Sequence, residues 1–180
     1  MQFEAIVVAG ESWSFEHLRS FSFPYTIVTA GVELGLHIDV LFSCHCFTRK
    51  PAPGVPLPAP EWVYRTATEV RILDTERYQH SREILPGVIQ DFDARKILFA
   101  STENYMTIEA TDARGVTGHY QVFFTVSRKE GVKRRLTLTV QSAYFVGYVH
   151  RQAKPASKRP VRFKLIATAA YERRKLQVGR

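Results

Sequence analysis

Strict alternation of apolar and polar positions dominates the second half of the chain. In HYQVFFTVSR the even positions are Tyr120, Val122, Phe124 and Val126, and the odd ones His119, Gln121, Phe123, Thr125 and Ser127. In RLTLTVQSAY, Leu136, Leu138 and Val140 alternate with Thr137, Thr139 and Gln141, and the apolar parity runs on to Ser142 and Tyr144. A period of two sends successive side chains to opposite sheet faces, so each segment predicts a strand with one buried and one polar face. NYMTIEA before them and VRFKLIATAAY after them complete four strands, with Val161, Phe163 and Leu165 packing inward in the last. The turn signals DARG and KEGVKR and the basic loop HRQAKPASKRP separate these strands, which predicts an antiparallel meander.

The first half is less regular. FEAIVVA (3 to 9) reads as a short buried strand, Ser14 as the cap of a brief helical turn, and residues 25 to 47 as two strands joined near Gly31 to Gly35. Prolines 51, 53, 56, 58 and 60 remove amide donors and fix φ, so this stretch is an extended connection. WVYRTATEVRIL (62 to 73) predicts another strand. Asp74 then caps a helix over TERYQHSREI, and Pro86 opens a second over LPGVIQDFDARKI, with Val88, Ile89 and Phe92 facing inward. The expected fold class is α+β: an antiparallel sheet of four or more strands with a short two-helix hairpin on one face. It is expected as a single domain, with a β-rich N-terminal extension over 1–49, a proline-rich linker over 50–61 and the main body over 62–180.

Composition adds a compartment and a charge. With 180 residues, 45% of them hydrophobic, the chain can bury a core of its own, and two cysteines one residue apart offer no disulfide framework. No apolar run approaches the roughly 18 residues of a membrane helix and no basic leader opens the sequence, so a cytoplasmic protein without membrane contact is expected. The net charge of +8 hides a polarity: residues 128–180 carry fifteen Lys/Arg against Glu130 and Glu172, whereas residues 1–127 are net acidic. Such a polycationic end attracts phosphate backbones.

The densest chemistry lies in HIDVLFSCHCFT (37 to 48). Sorted as a strand, Ile38, Val40, Phe42, Cys44 and Cys46 share a core face, and His37, Asp39, Leu41, Ser43, His45 and Phe47 the other. Cys44 and His45 would then diverge and no second cysteine pair exists to complete a tetrahedron, so no metal and no cofactor are expected. The open, polar side of the predicted sheet combines cations, hydroxyls, rings and imidazoles, the groups that neutralise phosphate and stack on bases of single-stranded RNA. Arg128, Lys129, Lys133, Arg134, Arg135, Lys158, Arg159, Arg162 and Lys164 are the expected nucleic-acid contacts. For cleavage, His119, His80 or His45 would serve as acid or base, with Arg77 and Arg82 stabilising phosphoryl charge.

Two helices followed by a four-stranded antiparallel sheet in a basic chain resemble, over residues 74 to 171, the RelE and barnase-like ribonuclease toxins, which cut RNA without metal. ERYQHSREILP, YQVFFTVSR and LTLTVQSAY are similar to a group of proteobacterial stationary-phase growth adaptation proteins. The resemblance implies an RNA-directed stress-response or toxin-like protein acting as a metal-independent endoribonuclease, with RNA and a protein such as an antitoxin as partners. The alternative is a non-catalytic nucleic-acid or protein-binding module built on the basic C-terminal region.

Overall fold

The computed structural model of the chain describes residues 3–95, 97–99, 104–111, 115, 117–147 and 160–176. Its centre is a six-stranded sheet. In spatial order it runs β3 (Phe21–Thr29), β4 (Val32–Phe42), β11 (Arg135–Gly147), β10 (Thr117–Arg128), β9 (Asn104–Thr111) and β8 (Ile97–Phe99). A three-stranded sheet places β7 (Val70–Leu73) between β5 (Thr48–Arg49) and β6 (Val63–Arg65), and β1 (Ile6–Val8) pairs with β2 (Glu11–Trp13) in a separate hairpin. Three helices complete the fold: α1 (Thr75–Glu83), α2 (Leu85–Gln90) and α3 (Phe163–Tyr171).

The α+β class and the alternating strands agree with the sequence pattern. Tyr120, Val122, Phe124, Leu136, Leu138 and Val140 are all fully buried, as their parity requires. Ile38, Val40 and Phe42 of β4 join the same core. Asp74 caps α1 by accepting the amide N–H of Arg77 at 3.0 Å, and Pro86 occupies the first turn of α2, where a missing N–H costs nothing.

Residues 62–73, expected as one strand, fold as the β6–β7 hairpin, and three further expectations need correction. The central sheet is mixed: β4 and β11 run parallel, with Arg135 opposite His37 and Val140 opposite Phe42. Residues 163–171, expected as a strand, form α3. Phe163, Ile166 and Ala167 repeat at helical spacing and are buried, while Leu165, expected to pack, is 51% exposed. Alanine and leucine favour helix, and one apolar stripe suffices to dock it. Phe163 anchors the helix with ring centroids 5.3 Å from Tyr25 and 5.0 Å from Phe92, a burial that contributes about 1.5–3 kcal/mol.

The third correction is a bulge. Phe123 faces Ser142 and Phe124 faces Val140, so Gln141 is the extra residue on β11. Parity flips there. Ala143 and Phe145 turn to the core in place of Ser142 and Tyr144, and Tyr144 stacks on Phe123 at 5.6 Å. Beside this stretch Gly118 passes so close to β11 that a Cβ would lie 2.6 Å from both Phe145 Cζ and the Val146 carbonyl.

Candidate functional site

Strand β4 ends at Phe42, and the next residues leave the ladder. Ser43 donates its N–H to the Val140 carbonyl and accepts the His45 N–H on its hydroxyl at 3.2 Å, starting a single 3₁₀ turn over Cys44–Cys46. The alternation assumed for HIDVLFSCHCFT therefore stops at residue 43. Within a turn consecutive side chains no longer point to opposite faces, and Cys44 and His45 reach the same neighbour, Glu69.

Glu69 comes from the β6–β7 hairpin. The Thr66 hydroxyl accepts the Glu69 N–H at 3.1 Å, while Thr66 N–H donates to the Glu69 carbonyl at 3.0 Å, closing the turn. From there the carboxylate accepts His45 Nε2–H at 2.7 Å on Oε1 and Arg71 Nη1–H at 2.9 Å on Oε2. Cys44 Sγ lies 3.9 Å from Oε1. The buried Arg71 is itself fixed, donating Nε–H to Thr48 Oγ1 at 2.6 Å, and the Thr48 hydroxyl donates to the Cys44 carbonyl at 2.7 Å. Arg77 Nη1 reaches the carbonyls of His45 and Thr48 at 3.1 and 2.9 Å, and its guanidinium lies 4.7 Å from the centre of the Tyr144 ring.

The hydrogen bond from His45, followed by that from Arg71, holds the Glu69 carboxyl below the usual carboxylate range. Burial, then the Glu69 carboxylate, push the Cys44 thiol up, and burial pushes Cys46 up to about 12. Neither thiol is poised as a free nucleophile. Cys44, His45 and Glu69 nevertheless present one sulfur, one nitrogen and one oxygen within 4.8 Å of one another.

A second site is a groove under the other end of the sheet. About 700 Å³ in volume, it is lined by Tyr25, His37, Asp93, Arg134 and Lys164 among others, and an adjoining cleft of about 430 Å³ is lined by Asp93, Arg95 and Arg162. Asp93 borders both and accepts the Tyr25 hydroxyl. Arg134 is exposed in the turn before β11 with φ of 54°, its carbonyl taking the His37 N–H at 3.0 Å. Arg134, Arg162 and Lys164 enter no ion pair among the described residues. Arg95 pairs with Asp91 at 3.0 Å, and its buried Nε has no hydrogen-bond partner there.

Of the expected contacts, the groove gathers Arg134 and Lys164, and the adjoining cleft Arg162. Lys133 is exposed nearby in sequence, in the turn before β11. Lys129 and Arg135 are instead held by Asp39, each at 3.0 Å, and Arg128 lies over the Tyr171 ring at 4.6 Å. Lys158 and Arg159 lie outside the described residues. The three acid-base candidates and the two arginines expected to stabilise phosphoryl charge do not converge on one point. His80 is buried against the rings of Phe145 and Tyr120, His119 lies half-buried in β10 opposite Glu109 and Val146, Arg82 covers Tyr78, and Arg77 pins the 45–48 backbone. Arg77 donates to the His45 carbonyl.

Sequence reasoning overlooked Glu69, Arg71 and Arg95. No motif links Glu69 to His45 across 24 residues. Ser43 ahead of CHC was a legible cap signal.

The chain belongs to the YjaZ family, whose family model matches residues 5–171. No curated protein and no solved structure matches it. No likeness to the RelE and barnase-like ribonucleases emerges, and the parallel β4–β11 ladder and the third helix depart from the element order on which that resemblance rested. No described helix is long and apolar enough to cross a membrane.

Proposed function

We propose that the protein binds single-stranded RNA, gripping its phosphate backbone along the groove and cleft that meet at Asp93. The observation carrying this reading is the convergence of Arg95, Arg134, Arg162 and Lys164 from three separate parts of the chain onto one concave surface. Three of them are unpaired among the described residues, so their charge is available to a ligand, and phosphate binding releases condensed counterions. Asp93, the one acidic group in the lining, offers an acceptor to a ribose 2′-hydroxyl, a group that DNA lacks. Tyr25 supplies a ring at the groove wall. The scatter of His119, His80 and Arg82 favours binding over strand scission.

Fluorescence anisotropy of a labelled single-stranded RNA across a salt series tests this. Four phosphate contacts give a log–log slope of about −3, and the double variant Arg134→Ala/Lys164→Ala flattens it by about 1.4. Absence of binding, or an unchanged slope in the variant, refutes the groove. A gel of the same samples reads strand integrity: intact RNA is expected, and fragmentation abolished by His119→Ala would replace this reading with the endoribonuclease.

A further inference from the structure

The cluster at the end of β4 lies outside the lining of the groove and cleft. An ion-pair reading accounts for His45, Glu69 and Arg71 as a lock between the 3₁₀ turn and the β6–β7 hairpin, and the Cys44 thiol donates to the same carboxylate at its edge, so three different donor atoms meet there. Tetrahedral zinc with one sulfur, one nitrogen and one oxygen ligand sets sulfur–oxygen and nitrogen–oxygen separations of about 3.6 and 3.4 Å. The corresponding distances here are 3.9 Å from Cys44 Sγ to Glu69 Oε1 and 2.7 Å from His45 Nε2 to the same oxygen. All three donor atoms lie within 4.8 Å of one another.

We propose that Cys44, His45 and Glu69 form a zinc site with three protein ligands and an open fourth position. The donor set of thiolate, imidazole and carboxylate suits zinc over the hard cations, which take oxygen alone. Arg71 occupies Glu69 Oε2, which leaves Oε1 to bind as a single donor. Behind the ligands stands a rigid support: Thr48 orients Arg71 and holds the Cys44 carbonyl, while Arg77 pins the carbonyls of His45 and Thr48. The side chains of His45 and Glu69 are 34% and 36% exposed, so the fourth position faces solvent. Three protein ligands and one exchangeable site is the arrangement of zinc centres that bind water or substrate, in contrast to closed structural sites with four.

Cobalt(II) reports this directly. Full-length protein, stripped with chelator and kept reduced, is titrated with cobalt chloride. One equivalent is expected to produce a near-ultraviolet thiolate-to-cobalt charge-transfer band, and zinc chloride should bleach it. Cys44→Ser abolishes the band, whereas Cys46→Ser, which removes a fully buried thiol outside the cluster, retains it. Thr48→Val, which loosens the support without touching a ligand, weakens cobalt binding about 10-fold. Zinc also raises the melting temperature of the wild type and leaves that of folded Glu69→Gln unchanged. No band in the wild type, or a band that survives Cys44→Ser, overturns the proposal and leaves a purely structural ion pair.

Discussion

Acidification tests the packing between the N-terminal turn and α1. His17 sits in a 3₁₀ turn over Glu16–Leu18, edge-on to the Tyr78 ring at 5.8 Å, with Nε2 2.8 Å from the Ser81 hydroxyl. That hydroxyl spends its own proton on the Tyr78 carbonyl at 2.8 Å, so the imidazole N–H is the donor and Nε2 carries the hydrogen. Burial, then the positive charge of Arg82, lower the His17 pKa from 6.5 to about 4. Between those values the unfolded chain takes up a proton that the native state refuses. Stability therefore falls as pH drops from about 6.5 to about 4 and changes no further from this group below that. Undiscounted, the displacement is worth about 3 kcal/mol, and solvent screening of a half-exposed ring leaves about 1 kcal/mol.

Replacing His17 by Asn keeps an N–H donor but removes the titration. Urea unfolding of both proteins at pH 7 and pH 4.5 isolates the group, because the remaining titrating groups contribute equally to the two chains and cancel in the double difference. The wild type should lose about 1 kcal/mol more than His17→Asn, a relative midpoint shift of about 0.5 M urea. Parallel pH profiles for the two proteins would refute the argument.

Three further changes probe the core. Tyr120→Phe removes a buried hydroxyl that has no hydrogen-bond partner among the described residues, and should raise stability by about 1 kcal/mol, read as a melting temperature about 2–4 °C higher. Phe163→Ala undocks α3 from Tyr25, Phe92 and Phe124 and should cost about 3–5 kcal/mol in chemical denaturation. Gly118→Ala drives a methyl against the Val146 carbonyl, which cannot rotate away as a side chain would, and should cost about 1–3 kcal/mol by the same measurement.

The strands of the main sheet were legible wherever one face is buried, because alternation is then a direct record of burial. Leu136, Leu138 and Val140 reveal themselves in this way. The bulge at Gln141 was hidden, since an extra residue changes parity without changing composition. α3 was misread because Val161, Ile166 and Thr168 suggest a strand locally, while the helical stripe becomes visible only across Phe163, Ile166, Ala167 and Ala170. Pairing partners were out of reach altogether. Periodicity identifies a strand and its buried face, but the choice of β11 as a parallel neighbour of β4 is settled by packing between distant segments. The zinc candidate fell between these cases: its cap residue, Ser43, stood in plain view, but its third ligand came from a hairpin that no spacing rule joins to it.

The parallel ladder also sets a timetable. His37 pairs with Arg135, so during synthesis the β3–β4 hairpin leaves the ribosome about 100 residues before its partner strand exists. At bacterial-type elongation rates of about 5–20 residues per second, the hydrogen-bonding edge of β4 and its apolar side chains Ile38, Val40 and Phe42 wait about 5–20 s for cover. A nascent chain stalled before residue 135 is thus the species most exposed to chaperone capture and to edge-to-edge aggregation, and release of that capture should coincide with emergence of β11.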